Sequence, residues 1–137
     1  MNRVILIFLI CATCAYLVSG CSHISKSEAV GTYRLSYHPN GPIVGTEILV
    51  LKGDGTFTQV FQPSSGKGWT NSGRWELDSA TFTDTIIFSN WREAMDSSGR
   101  EVKPPWIGGS DNKIWISGSE IKIEINPDIP YWYVKVR

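Results

Sequence analysis

Side chains that commonly carry out chemistry are scarce in this sequence, and they are not spaced for it. His23 lies in a polar stretch and His38 precedes a proline, and neither has a second metal ligand at the usual spacing. Ser64–Gly68 has glycines and a lysine, but it lacks the first glycine and the final hydroxyl residue of a phosphate-binding loop. The motifs H-E-x-x-H and G-x-S-x-G do not occur. These patterns predict a protein that is not an enzyme, with no catalytic residues, no cofactor and no metal site.

The acidic residues also favour structural roles over catalytic ones. Asp54 lies between two glycines, where an aspartate usually stabilises a turn. Glu93, Asp96 and Glu101 share one long segment. Acid–base catalysis by carboxylates needs two of them at a set separation inside a cleft, and the sequence indicates neither. We therefore interpret these three residues as solvated charges.

The first 20 residues have the organisation of an export signal. Arg3 gives a positive start, residues 4–18 are almost wholly apolar, and the small residues Ser19 and Gly20 precede Cys21. This order is typical of a secretory signal peptide. The apolar run is shorter than the about 20 residues that a membrane span needs, although an uncleaved N-terminal anchor is the alternative.

The stretch Val18-Ser19-Gly20-Cys21 resembles the lipobox of bacterial lipoproteins, in which an aliphatic residue and two small residues precede a cysteine. The resemblance implies cleavage between Gly20 and Cys21, which removes the signal peptide at residues 1–20. It also implies that Cys21 carries two or three acyl chains, such as palmitate, which hold a protein stably to a membrane. Ser22 after the cysteine, rather than aspartate, favours an exported protein anchored in the outer membrane and facing the periplasm.

Cysteine usage and charge limit what the mature protein can be. Cys11 and Cys14 lie in the signal peptide and Cys21 would be lipidated, so the rest of the chain has no thiol for a disulfide or a thiolate metal site. The chain has 13 basic and 13 acidic residues, which gives no basic surface for nucleic acid. The length predicts one folded domain over residues 30–137, preceded by a lipidated tether over residues 21–29.

Short segments of alternating apolar and polar residues, separated by turns, predict an all-β fold. The most distinct turn is Gly53-Asp54-Gly55, which has the glycines of a β-hairpin. Regular spacing of the segments indicates an antiparallel up-and-down barrel, with a β-sandwich as the alternative. We predict eight strands, at Val30–Tyr37, Thr46–Lys52, Thr56–Gln62, Gly73–Leu77, Thr81–Ser89, Lys113–Ser117, Glu120–Asn126 and Tyr131–Val136.

Three stretches in the first half of this domain resemble the small lipocalin-like domains of bacterial exported proteins. They are Val30-Gly31-Thr32-Tyr33-Arg34-Leu35, Leu49-Val50-Leu51 with Gly55-Thr56-Phe57, and Ser72-Gly73-Arg74-Trp75-Glu76-Leu77. Tyr33 stands where true lipocalins have a tryptophan. The resemblance implies a lipocalin-like barrel and supports the fold more than any activity.

Aromatic residues are the remaining candidates for a functional site. All 6 tryptophans follow the signal peptide, and Trp91 and Trp106 lie in the long segment 90–112. Our first hypothesis is a small apolar ligand in the mouth of the barrel, and the candidate contacts with a ligand or a partner are Tyr33, Trp75, Trp91 and Trp106. The second is a protein-interaction or inhibitor module that contacts an envelope protein through residues 90–112. Alternatively, the two tryptophans of this segment fold back and close the barrel.

Overall fold

Eight antiparallel strands and one short helix form the part of the chain that the computed structural model describes, residues 23–37, 45–79, 83–93, 107–125 and 131–136. Each strand pairs with the next along the chain, and the last pairs with the first, so the sheet closes into an up-and-down barrel. The elements are α1 (Lys26–Ala29), β1 (Gly31–Tyr37), β2 (Gly45–Leu51), β3 (Thr56–Pro63), β4 (Trp69–Asp78), β5 (Thr85–Arg92), β6 (Ile107–Ser117), β7 (Glu120–Glu124) and β8 (Tyr131–Lys135).

The closed strand order confirms the predicted all-β, lipocalin-like barrel and excludes the β-sandwich. Some strand ends differ from the prediction. β4 begins earlier, at Trp69, because this residue pairs with Phe61 of β3. β5 extends to Arg92 and β6 begins at Ile107, and these two residues pair with each other. Both ends of the predicted loop 90–112 are therefore strand, because the neighbouring strand rather than the local sequence sets where pairing stops.

The β2–β3 hairpin forms as its sequence predicts. Gly55 has a φ of 81°, a conformation that glycine adopts readily. The Asp54 carboxylate accepts hydrogen bonds from the hydroxyl and the backbone amide of Thr56, at 2.7 and 2.9 Å. These bonds lower the pKa of Asp54. Asp54 is therefore a turn residue, as predicted.

A bulge in β5 brings two aromatic rings into the core. The pairing with β6 shifts between Phe88 and Trp91, and Asn90 has a φ of 61°. Asparagine tolerates this left-handed conformation better than most residues, and its side-chain amide donates to the Ser72 carbonyl at 2.6 Å. Phe88 and Trp91 are consequently both buried, with their ring centroids 4.7 Å apart.

The same two rings belong to a larger aromatic group inside the barrel. Phe57 contacts Phe88 and Trp91, at centroid distances of 5.1 and 5.8 Å. Tyr133 packs edge-on against Trp91 at 6.0 Å. This part of the interior is thus occupied by the protein's own side chains, which counts against a ligand held deep in the barrel.

The helix α1 covers one end of the barrel, which we call the helix end. A capping box formed by Ser25 and Glu28 begins the helix. Ala29 is fully buried, and its carbonyl accepts a hydrogen bond from the hydroxyl of Tyr33, inside the barrel, at 2.6 Å. Lys26 lies over the Trp75 ring, 5.4 Å from its centre. These contacts place α1 across the end at which β2 finishes and β3 begins.

Asp84, just before β5, fastens the residues ahead of α1 to the helix end. Its carboxylate lies 2.8 Å from His23 Nδ1 and accepts from the Ile24 amide at 2.6 Å, and Ile24 is 2 % exposed. Burial raises the pKa of Asp84, but hydrogen bonds from Ile24, His23 and Ser79 outweigh that effect and leave the pKa lowered. Residues 23–29, which the sequence predicts to be part of the tether, therefore pack on the barrel.

Candidate functional site

Polar side chains collect inside the barrel at the end opposite α1. We call this the Arg92 end, because β3 and β5 finish there while β4 and β6 begin. Glu47 of β2 and Gln59 of β3 are 1 % and 0 % exposed. Together with Asn71 of β4 and Arg92 of β5, they form a group that we call the polar cluster.

Gln59 joins the polar cluster through both ends of its side-chain amide. Its Nε2 donates to Glu47 Oε1 at 2.6 Å and to the Arg92 carbonyl at 2.8 Å. Its Oε1 accepts from Asn71 Nδ2 at 3.1 Å and from the Arg92 backbone amide at 3.3 Å. A buried amide whose donors and acceptors are all satisfied rigidifies its surroundings. Gln59 therefore fixes the backbone of Arg92.

Glu47 is a buried carboxyl group with an altered acidity. Burial raises the pKa of Glu47 to about 7, although hydrogen bonds from Tyr133 and Gln59 oppose the shift. A carboxyl group that titrates near neutral pH is suited to acid–base work. Glu47 is only 1 % exposed, however, and its hydrogen bonds are to side chains of the protein itself. Its position suits it to organising the polar cluster rather than to contacting a substrate.

Arg92 supplies the positive charge at this end of the barrel. Its guanidinium carbon lies 4.3 Å from the centre of the Trp69 ring, which in turn packs on Phe61 with 5.4 Å between the ring centroids. Arg92 Nε is buried and has no hydrogen-bond partner among the described residues. Within the same residues, no carboxylate forms an ion pair with Arg92. The arginine is thus held in place on an aromatic ring while its Nε–H donor has no partner among the described residues.

The structure buries three of the predicted contact residues. Tyr33 and Trp75 lie near the helix end, where Trp75 Nε1 donates to the Lys52 carbonyl at 3.0 Å. Trp91 is 2 % exposed and packs inside the barrel as a residue of β5, rather than folding back from a loop to close the barrel. None of these three belongs to the polar cluster. Trp106 lies outside the described residues.

Sequence reasoning missed the polar cluster, although part of its signal was present. Glu47 alternates with Leu49 along β2, and Gln59 lies between Phe57 and Phe61 on the inward face of β3. Polar groups are costly to bury without hydrogen bonds, so an inward-facing polar residue between large apolar ones is informative. This pattern alone would have identified Glu47 and Gln59.

Other predicted features concern residues that the structure does not describe. Gly20 and Cys21, at the predicted cleavage and lipidation site, lie outside the described residues, and so does His38. Within the described ranges, no group of three or more His, Cys, Asp or Glu side chains is placed to hold a metal ion. No helix in those ranges is long and apolar enough to cross a membrane.

Comparison with known proteins identifies no relative. No family model matches the chain, and no curated protein and no solved structure is significantly similar to it. Inference about function therefore depends on the predicted signal sequence and on the arrangement of residues at the Arg92 end.

Proposed function

We propose that this chain is a lipid-anchored protein of the bacterial cell envelope that binds a small, largely apolar ligand at the Arg92 end of its barrel. The observation that supports ligand binding is the polar cluster inside the barrel. Buried polar and charged groups are often no more stabilising than apolar side chains of the same volume. Small-molecule sites, in contrast, combine an apolar lining with a few fixed polar groups.

The packing of the barrel favours the Arg92 end over other positions for a ligand. α1 covers the helix end, and the packed rings of Phe57, Phe88 and Trp91 occupy the barrel interior. At the Arg92 end, the half-buried Trp69 offers an aromatic surface next to fixed polar groups. A ligand at this end would contact the exposed part of Trp69 and the neighbouring polar groups and would not displace the aromatic core.

Replacing Cys21 with serine is expected to abolish both acylation and removal of the signal peptide. The lipobox resemblance implies that the Cys21 thiol is acylated first and that cleavage before Cys21 follows. The measurement is incorporation of labelled palmitate in a bacterial host, together with the intact mass of the membrane-extracted chain. Cys14→Ser, inside the signal peptide, is the matched control and should leave both unchanged. Labelling of the Cys21→Ser chain at the wild-type level would refute the lipid anchor.

The ligand-binding part predicts that the full-length protein, extracted in mild detergent, carries a small molecule in stoichiometric amount. Native mass spectrometry followed by denaturation would detect this molecule and release it. Trp69→Leu should reduce the bound fraction, since it removes the aromatic surface of the site. Trp115→Leu, which alters a half-buried ring of β6 remote from the polar cluster, should not. Recovery of an unliganded mass only, from both membrane and periplasmic expression, would reject this part of the proposal.

A protein-interaction or inhibitor module that uses residues 90–112 is the second candidate function. Ile107, at the start of β6, is 51 % exposed and offers an apolar contact within this segment. Trp91 is buried, so a partner would bind without it. In the native mass spectra, a stoichiometric protein complex that Ile107→Asp disrupts, in place of a bound small molecule, would favour this candidate.

A further inference from the structure

We infer that the ligand carries an acidic oxyanion group, a carboxylate or a phosphate, and that the Arg92 guanidinium binds this group beside Trp69. The inference rests on the proposed ligand-binding function and specifies the chemical class of the ligand. It is based on three observations: the stacking of Arg92 on Trp69, the unpaired Nε–H donor of Arg92, and the hydrogen bonds that hold the end of β5.

The stacking of the Arg92 guanidinium on Trp69 engages a face of the group and not its N–H donors. A guanidinium is planar and has five N–H donors that lie in its plane. Trp69 covers one face, at 4.3 Å from the guanidinium carbon to the ring centre. A cation–π contact of this kind stabilises the charge but satisfies none of the N–H donors. A carboxylate or a phosphate that reaches the guanidinium would be bound in its plane, where arginine forms two parallel hydrogen bonds with such groups.

The buried part of Arg92 lacks the acceptor that a structural arginine would have. Its Nε is enclosed by protein and donates to no described acceptor. A charged donor that is buried without a partner destabilises the protein, and binding an oxyanion would relieve that penalty. A neutral apolar ligand would leave the same donor unpaired, so the geometry selects for an acidic one.

The carboxyl group of the polar cluster does not supply the missing counter-charge. Glu47 is engaged by Gln59, at 2.6 Å, and by Tyr133. Its pKa of about 7 also leaves it mostly neutral in mildly acidic solution. In mildly acidic solution the polar cluster therefore carries the positive charge of Arg92, which favours an incoming anion.

The site is organised before a ligand arrives. Gln59 holds both the amide and the carbonyl of Arg92, and Asn71 binds Gln59 Oε1 and the Asn90 carbonyl, at 3.1 and 2.7 Å. The end of β5 is thus fixed by side chains of β3 and β4. A fixed binding group loses little conformational freedom when it binds, which favours affinity.

The test is a nuclear magnetic resonance titration of the full-length chain in mild detergent, with benzoate, phenyl phosphate and benzyl alcohol as three water-soluble probes. The first two carry the two acidic groups, and the third is a neutral molecule with a similar ring. Binding would be followed through the Nε–H resonance of Arg92 and through backbone amides of β4 and β5. Arg92→Met removes the charge at similar length, and Arg74→Met, an exposed residue of β4, is the matched control.

We expect at least one acidic probe to bind about 10- to 100-fold more tightly than benzyl alcohol, the range that hydrogen bonds to a charged group provide. That probe should shift the Arg92 Nε–H resonance, and the preference should disappear in Arg92→Met but persist in Arg74→Met. Comparing benzoate with phenyl phosphate distinguishes a carboxylate ligand from a phosphate one. The wild-type resonance gives the answer even if Arg92→Met does not fold.

Two results would overturn the inference. If benzyl alcohol binds as tightly as both acidic probes, or if Arg92→Met keeps the preference, ligand binding stands but its acidic character does not. If none of the probes shifts the Arg92 Nε–H resonance, the anion site is rejected. The mass spectrometry of the natural ligand then decides separately whether the protein binds a small molecule.

Discussion

Replacing Trp91 with alanine is expected to lower the free energy of unfolding by about 3–5 kcal/mol, the usual cost of removing a large buried aromatic side chain. Trp91 is 2 % exposed and contacts Phe57, Phe88 and Tyr133, so its removal leaves a cavity bordered by three rings. Urea denaturation, followed by far-ultraviolet circular dichroism, measures this loss.

The matched control for Trp91→Ala is Trp115→Ala. Trp115 is half-buried on the outward face of β6, where its described ring contact is with the Lys113 ammonium at 5.7 Å. Its replacement should cost no more than about 1 kcal/mol. Equal stability of Trp91→Ala and the wild type, combined with loss of binding to an envelope protein, would instead make Trp91 a contact residue.

Glu47→Gln is expected to stabilise the protein at pH 8 by up to about 3 kcal/mol and to have little effect near pH 4. The pKa of Glu47 is raised from 4.5 to about 7 in the folded state. The folded protein therefore holds this proton more tightly than the unfolded chain does. Its contribution to stability is full below pH 4.5, declines as the pH rises to about 7, and stays absent above that.

The amide that this substitution introduces can accept from Gln59 and contact the Tyr133 hydroxyl, so the hydrogen bonds of Glu47 are replaced rather than lost. Urea denaturation of both proteins at pH 4, 6 and 8 isolates this group, because all other titrating residues are shared. Glu76→Gln, at an exposed position on β4, is the control and should change stability little at any of these pH values. A stability difference that does not vary with pH would show that folding does not raise the pKa of Glu47.

The barrel was predictable because the features that specify it are local. Alternation along β2, with Leu49 and Leu51 inward, can be read from adjacent residues, and so can the turn at Asp54. Ile24 and Ala29 are different, because Ile24 is an isolated apolar residue in a polar stretch and Ala29 stands at the end of that stretch. They become buried only when the helix end of the barrel and the Asp84 carboxylate contact residues 23–29. These contacts form only in the folded chain, so the local sequence does not reveal them.

Arg92 and Trp69 could not be identified from the sequence for a related reason. Strict alternation along β5 would turn Phe88 and Asn90 inward and Trp91 outward. The bulge at Asn90 reverses this, and it depends on a hydrogen bond to Ser72 of the neighbouring strand. The contact between Arg92 and Trp69 likewise requires the pairing of β4 with β5. The candidate site is therefore a product of strand pairing, which no single segment encodes.

The docking of residues 23–29 determines how the protein would stand on a membrane. If Cys21 carries acyl chains, only Ser22 separates the anchor from His23, whose imidazole is held by Asp84. Two residue steps span about 7 Å at most. The helix end would then lie close to the lipid head groups, because no long flexible linker would let the barrel move away from the membrane. The Arg92 end would point into the aqueous compartment. A ligand would enter from the water side rather than from the bilayer beneath.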